Sequence, residues 1–117
     1  MDLEIMKQEN FKKQFKKGLL ELGILKLLTE SDHYGYSIIK EINTRSNNTL
    51  DLRDGTLYPI LYRLEDQKII ESYWETQDGR GKPRKYYKIT EIGKERYVNM
   101  LEDFNLVTGG INSIINQ

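Results

Sequence analysis

One stretch decides the fold, and from Asp54 to Glu65 it reads Asp-Gly-Thr-Leu-Tyr-Pro-Ile-Leu-Tyr-Arg-Leu-Glu. Its leucine and isoleucine side chains recur at i, i+3, i+4 and i+7, the spacing of one helical face: Leu57, Ile60, Leu61 and Leu64. The other side chains suit a surface that meets a partner: Thr56, Tyr58, Pro59, Tyr62 and Arg63. Because proline is tolerated in the first helical turn, Pro59 predicts a helix start near Asp54 or Thr56. We expect the helix to end near Gln67.

A basic hairpin is predicted after this helix. The segments 69–76 and 84–89 are rich in β-branched and aromatic residues, which favour strands. We expect Trp74, on the first strand, to pack beneath the hairpin. From Gly79 to Thr90 the chain carries five cations and no acid: Arg80, Lys82, Arg84, Lys85 and Lys88. A helix with a polar outer face followed by a basic hairpin predicts a winged helix-turn-helix, an α+β and mainly α fold that binds DNA.

Two helices are predicted before this unit. Apolar periodicity places the first at about residues 16–29, and Phe11 and Phe15 leave a backward extension open. Residues 1–10 have weak periodicity and are expected to form a loosely packed arm. The second helix is expected at about residues 35–45, with Ile38, Ile39 and Ile42 inward and with Ser31 or Asp32 as its cap. Leu50 and Leu52 alternate with polar residues, which fits a short strand or an extended loop.

The last predicted helix begins after a cap at Thr90 and runs toward Asn116. It has an apolar stripe that a compact three-helix core does not need: Tyr97, Met100, Leu101, Phe104, Val107, Ile111 and Ile114. An exposed apolar stripe requires a partner, and a twofold dimer is the commonest solution. We therefore divide the chain into a DNA-binding domain, residues 1–90, and a dimerisation helix, residues 91–117. The alternative is that this helix folds back on its own core.

Composition restricts the function further. The chain has 117 residues, 38% hydrophobic and 31% charged, which is typical of one globular domain in the cytoplasm, and no window approaches a membrane span. It has one histidine and no cysteine, so we expect no catalytic Ser-His or Cys-His pair, no metal site and no cofactor, and hence no enzyme. The formal net charge is zero. Zero net charge keeps open a winged-helix protein-interaction module, such as an antirepressor without DNA binding.

Several blocks together resemble the PadR-like family of bacterial transcriptional regulators, in its short form with a single C-terminal helix. The blocks are Leu-Leu-Glu-Leu at 19–22, His-Tyr-Gly-Tyr at 33–36, Gly-Thr-Leu-Tyr-Pro-Ile-Leu-Tyr-Arg-Leu-Glu at 55–65, Ile-Ile-Glu at 69–71, Gly-Lys-Pro-Arg-Lys-Tyr-Tyr at 81–87 and Ile-Thr-Glu-Ile-Gly at 89–93. The resemblance implies a homodimer that binds inverted repeats in promoter DNA, usually as a repressor. Members often respond to small aromatic compounds.

The resemblance also assigns roles to residues. It implies phosphate contacts from Tyr36 and Ser37, a recognition surface of Thr56, Tyr58, Pro59, Tyr62 and Arg63, and wing contacts from Arg80, Lys82, Arg84 and Lys85. Since that recognition surface has one arginine and no asparagine or glutamine, we expect DNA shape to matter more than direct base contacts. We expect one of Tyr58 and Tyr62 to be half-buried. An aromatic effector would contact Tyr97, Met100 and Phe104, where drug-binding relatives carry tryptophan in place of Phe104.

Overall fold

The computed structural model describes the backbone of residues 3–117 and the side chains from residue 11 onward. The elements follow the order α1 Leu3–Glu30, β1 His33–Tyr34, α2 Gly35–Arg45, α3 Asp54–Asp66, β2 Ile70–Gln77, β3 Arg80–Ile89 and α4 Glu91–Ile115. Helix α1 begins far earlier than residue 16, so the backbone of residues 3–10 is helical, while the packing expected of that segment stays a prediction; residues 1 and 2 lie outside the described range. Lysine, glutamate and glutamine have high helix propensity, which extends the helix where an apolar stripe is missing.

Three antiparallel strands form a sheet in the order β1-β3-β2. Strand β1 is two residues long and pairs His33 with Tyr87, too short for a sequence pattern to reveal. In the β2–β3 hairpin, Gln77 pairs with Arg80 across a two-residue turn, Asp78-Gly79. Both turn residues have positive φ, 54° and 68°, as a type I′ turn requires. The prediction that the returning strand starts at Arg84 was therefore wrong, because the Asp-Gly turn lets the strand begin at Arg80.

The core lies where α1, α2 and α3 meet the inner part of the sheet. On α3, Leu57, Leu61 and Leu64 are fully buried and Ile60 partly, which confirms the predicted inner face. The core also includes Ile24, Leu25, Leu28, Ile38, Ile42, Leu52, Ile70 and Tyr87. These contacts fix α3 against α2 and β2 and leave its opposite side in solvent.

The segment between α2 and α3 is an extended loop and not a strand. Its fixed point is Leu52, which is buried although it belongs to no helix or strand. The Asn43 side chain accepts a hydrogen bond from the Leu52 N–H at 2.7 Å and donates one to its carbonyl at 2.9 Å. The Asn43 side chain thus satisfies both backbone groups of Leu52, as a neighbouring strand would, and it fixes the chain two residues before α3.

Helices α2 and α3 begin where predicted, at Gly35 and Asp54, but the predicted cap of α2 and the predicted place of Pro59 were wrong. Helix α2 is preceded by Tyr34, whose backbone bonds the Ser37 hydroxyl, so neither Ser31 nor Asp32 is its cap. Strand β1 separates those two residues from the helix. Helix α3 begins at Asp54, which puts Pro59 in its second turn and removes the N–H that would bond the Gly55 carbonyl.

Helix α4 begins as predicted, and its two halves differ in how far they are buried. The Thr90 hydroxyl caps it by accepting from the Gly93 N–H at 3.0 Å. Tyr97 and Met100 pack against the core, so the first half folds back. The second half exposes Leu106, Val107, Ile111, Ile114 and Ile115. No helix in residues 3–117 is long and apolar enough to cross a membrane.

Candidate nucleic-acid interface

The outer side of α3 lies between α1 and the β2–β3 hairpin. Thr56 and Arg63, seven residues apart, lie on the side toward α1. Tyr58 and Tyr62, four residues apart, lie toward the hairpin, with ring centroids 6.4 Å apart. Pro59 lies on the surface of α3 between these two sides and is exposed. The predicted recognition residues thus surround one exposed strip of helix.

The two tyrosines of α3 have different environments. Tyr58 is half-buried and lies over Gly35 at the start of α2, where an added Cβ would overlap the Tyr58 hydroxyl. Gly35 is therefore needed for this close approach of the two helices. Tyr62 is 61% exposed. The prediction that one of the two is half-buried is confirmed, and Tyr62 is the ring that faces solvent.

An aromatic notch of about 370 Å³ separates α3 from the hairpin. Its lining combines rings with two cations: Tyr34, Tyr36, Tyr58, Tyr62, Trp74, Tyr87, Arg84 and Lys85. Trp74 is 68% exposed, so the prediction that it packs beneath the hairpin was wrong. It shares a strand face with buried Ile70, but the hairpin extends past the core and nothing in the described part of the chain covers it there.

The four cations predicted to contact DNA from the hairpin fall into two groups. Arg84 lies over the Tyr34 ring, 4.6 Å from its centroid, and Lys85 is 3.7 Å from Glu65 of α3. Arg80 and Lys82 are exposed at the tip, and no acidic side chain from residue 11 onward comes within ion-pair distance of them. One cation therefore connects β3 to β1 and another connects it to α3, while two project into solvent.

The first turn of α2 carries the two predicted phosphate contacts, and Tyr36 is more exposed than Ser37. Tyr36 is exposed, and its ring lies 6.5 Å from that of Tyr34. The Ser37 hydroxyl accepts from the Tyr34 N–H at 3.1 Å and donates to the Tyr34 carbonyl at 2.9 Å. It also lies 3.0 Å from His33 Nδ1. Its hydrogen bonds thus already serve the start of the helix.

A buried carboxylate connects three helices, and sequence reasoning missed it. Glu21 of α1 is 7% exposed and accepts from Arg63 of α3 at 2.7 Å and from Arg96 of α4 at 3.2 Å. Arg63, predicted to face DNA, is therefore held on the α1 side of its helix. The available signal was an acid inside the leucine-rich segment 19–28, where a buried charge requires a counter-charge.

Two tyrosines of the sheet hold their protons strongly. Tyr73 donates to Asp32 at 2.6 Å, and this hydrogen bond to a carboxylate, with some burial, raises the pKa of Tyr73 to about 12. Burial beneath α3, with the nearby Glu65 charge, raises the pKa of Tyr87 to about 12. Both serve the packing of the sheet, since Tyr73 also stacks on Tyr86, with centroids 5.7 Å apart.

The residues predicted for dimerisation and for an effector follow α4. Tyr97, Met100 and Phe104 are partly buried, whereas Leu101, Val107, Ile111 and Ile114 are exposed. No group of three or more His, Cys, Asp and Glu residues in the described part of the chain could hold a metal ion.

The geometry agrees with comparisons to known proteins. The family model described as "Transcriptional regulator PadR-like family" matches residues 24–99. This chain belongs to the PadR-like family. An uncharacterized protein of Lysinibacillus sphaericus is 40% identical over 88 residues, which are 75% of this chain and 80% of that protein.

Two solved structures of regulators resemble the PadR-like chain over most of its length. A transcriptional regulator from Clostridium thermocellum has a TM-score of 0.78 at 33% identity, covering 86% of this chain and 96% of that one. A PadR-like transcriptional regulator from Bacillus cereus has a TM-score of 0.78 at 29% identity, covering 89% and 98%. The fold is thus the predicted winged helix-turn-helix, with α2 and α3 as the helix pair and the β2–β3 hairpin as the wing.

Proposed function

We propose that this PadR-like regulator binds operator DNA specifically, as a homodimer on an inverted repeat, and acts as a repressor. The observation that carries the proposal is the exposed strip of α3 beside the exposed wing-tip cations Arg80 and Lys82. A helix of this kind enters the major groove, while cations on a hairpin bind phosphates and supply salt-dependent affinity. Tyr62, Pro59 and Thr56 would face the groove, and Tyr36 would contact the backbone.

The homodimer is proposed from the apolar surface of α4. Exposed side chains continue along its second half, where Leu106 is 73% exposed. On α1, Phe11 and Phe15 are also exposed, and their stacked rings are 6.0 Å apart. Two copies of the chain would bury both surfaces and place two α3 helices about one turn of DNA, or a multiple of it, apart.

A small planar aromatic compound is the proposed effector. Tyr97, Met100 and Phe104 form a partly buried row on α4, next to the residues proposed to meet the partner. A ligand between this row and the partner protomer would change the spacing of the two α3 helices. Calorimetry with planar aromatic compounds tests the idea, and absence of heat from every compound would favour a regulator without an effector.

A band-shift titration on the DNA upstream of the protein's own gene tests DNA binding. We expect a shift whose affinity falls steeply as the salt concentration rises. We also expect the protein to bind the operator more tightly than a random duplex. Wild-type protein that shifts neither duplex at low salt would contradict the proposal. That outcome would favour the alternative, a winged-helix protein-interaction module or antirepressor.

Sedimentation of Val107→Lys and Ile111→Lys tests the dimer. Both side chains are exposed on α4, so a lysine there does not disturb the protomer's own packing, but it would bury an unpaired charge in the proposed interface. We expect monomers, with Asn105→Lys on the same helix as the matched control. Unchanged dimers in both apolar-site variants would place the interface elsewhere.

A further inference from the structure

The N-terminal half of α1 has two unlike faces. Four lysines at i, i+1, i+4 and i+5 share one side of the helix: Lys12, Lys13, Lys16 and Lys17. Phe11 and Phe15, at i and i+4, share the opposite side. A surface helix with one charged and one apolar face meets different neighbours on each. The aromatic face suits the partner protomer proposed above, and the lysine face remains to be explained.

The lysine face forms one wall of a cleft of about 910 Å³. The loop between α2 and α3 and the first turn of α3 form the other wall, including Leu50, Arg53 and Thr56. Lys16 Nζ donates to the Leu50 carbonyl at 3.1 Å, which ties the two walls together. The lysines are thus held at a fixed distance from the start of α3.

The cleft has a large excess of positive charge. Five of its lining residues are cations, the four lysines and Arg53. Asp51 is the one acid among the lining residues that the structure describes, and it pairs with Arg53 at 3.2 Å. The first-turn N–H groups of α3 add partial positive charge at the same edge, and the exposed Asp54 carboxylate in that turn offsets part of it. Such a surface is complementary to a polyanion.

The cleft is continuous with the proposed recognition surface. Thr56 lines the cleft and belongs to the exposed strip of α3. The wing lies on the other side of that strip, beside Tyr62. Helix α3 therefore has a cationic surface on each side, one from the wing and one from α1.

We propose that the lysine face of α1 binds the phosphate backbone of the duplex that receives α3, on the side away from the wing. This inference rests on the proposed DNA-binding function. It assigns Lys12, Lys13 and Lys17 as phosphate contacts and extends the bound stretch of DNA past the helix and wing. Lys16 positions the helix through Leu50.

Salt titrations on a random-sequence duplex of about 30 base pairs test the proposal. The triple variant Lys12→Gln, Lys13→Gln, Lys17→Gln should lower the slope of log affinity against log salt by about three per protomer. The control triple Lys26→Gln, Lys68→Gln, Lys94→Gln removes equal charge from exposed sites outside the cleft and should leave the slope near the wild-type value. Equal slopes for the two triples would overturn the inference.

A second measurement leaves most of the lysines in place. Because the chain has no cysteine, a single Lys13→Cys can carry an iron chelate that cuts nearby DNA. We expect cuts beside the α3 contact and away from the wing, and none from the same chelate at Asn99→Cys on α4. Cleavage no greater than at Asn99 would overturn the inference. Wild-type protein that binds no duplex at all would overturn the proposed function with it, whereas normal wild-type binding beside an unaffected lysine triple would overturn this inference alone.

Discussion

The Glu21 site and the wing tip use cations in opposite ways. At Glu21, two guanidiniums neutralise one buried carboxylate and join three helices. At the wing tip, Arg80 and Lys82 lie in solvent without such a partner among the described side chains. The first arrangement stabilises the fold, and the second leaves charge available to a polyanion. A formal net charge of zero therefore does not argue against DNA binding, since it sums over both kinds.

The largest effect is expected at Glu21. Arg63→Gln with Arg96→Gln leaves a buried carboxylate without a counter-charge, which costs about 3–5 kcal/mol in the free energy of unfolding. Urea denaturation measures the loss. Arg45→Gln is the control, because it breaks an exposed pair with Glu30 and should hardly move the midpoint. A double variant as stable as the wild type would mean that the Glu21 carboxylate does not depend on its partners.

The next effect separates the two groups of wing cations. Arg80→Ala with Lys82→Ala should weaken binding to operator and random DNA alike and lower the salt slope by about two per protomer. Arg84→Ala with Lys85→Ala should lower it less, because these cations already contact Tyr34 and Glu65. Fluorescence anisotropy over a salt series measures both. Equal losses would show that DNA draws Arg84 and Lys85 away from their internal contacts.

A smaller and more selective effect is expected on α3. Tyr62→Ala should cost roughly 1–3 kcal/mol of binding free energy on the operator and little on random DNA if its ring contacts a base. Tyr58→Ala should instead lower stability, since that ring packs over Gly35. Competition binding and thermal unfolding distinguish the two. Equal losses on both duplexes from Tyr62→Ala would mean that α3 positions the protein without reading sequence.

The smallest effect concerns pH and the two sheet tyrosines. A free phenol ionises near pH 10, whereas the pKa of Tyr73 and that of Tyr87 are each raised to about 12. The native state thus keeps protons that the unfolded chain loses, so this stabilisation is complete below about pH 10 and disappears as pH rises through about 12. Absorbance during an alkaline titration should show two tyrosines that ionise only near pH 12, and Tyr73→Phe should remove one of them. If two such tyrosines remained in Tyr73→Phe, the assignment of the raised Tyr73 pKa to the Asp32 hydrogen bond would be wrong.

Local sequence patterns determined most of the architecture. The inner face of α3, the start of α4 at Thr90 and the pair of strands after α3 follow from spacing and capping, which act over a few residues. The same patterns indicated which side of α3 faces solvent. They failed where the deciding partner is distant in sequence: β1 exists because His33 meets Tyr87, and Trp74 is exposed because the core ends before the hairpin does.

Tertiary structure alone decided which cations pair within the protein and which stay available to a partner. Nothing in the spacing of Arg63 distinguishes a residue for the DNA groove from a partner of Glu21, which is 42 residues away in the chain. Likewise, nothing in the sequence distinguishes Arg84 from Arg80, and only the packing of β3 beside Tyr34 places Arg84 over a ring while Arg80 stays at the tip of the hairpin. The sequence by itself determined the order of the helices, the two strands of the hairpin and the inward face of α3, because these depend on neighbouring residues. Which cations remain available for a partner depends on long-range contacts, and those exist only once the chain has folded.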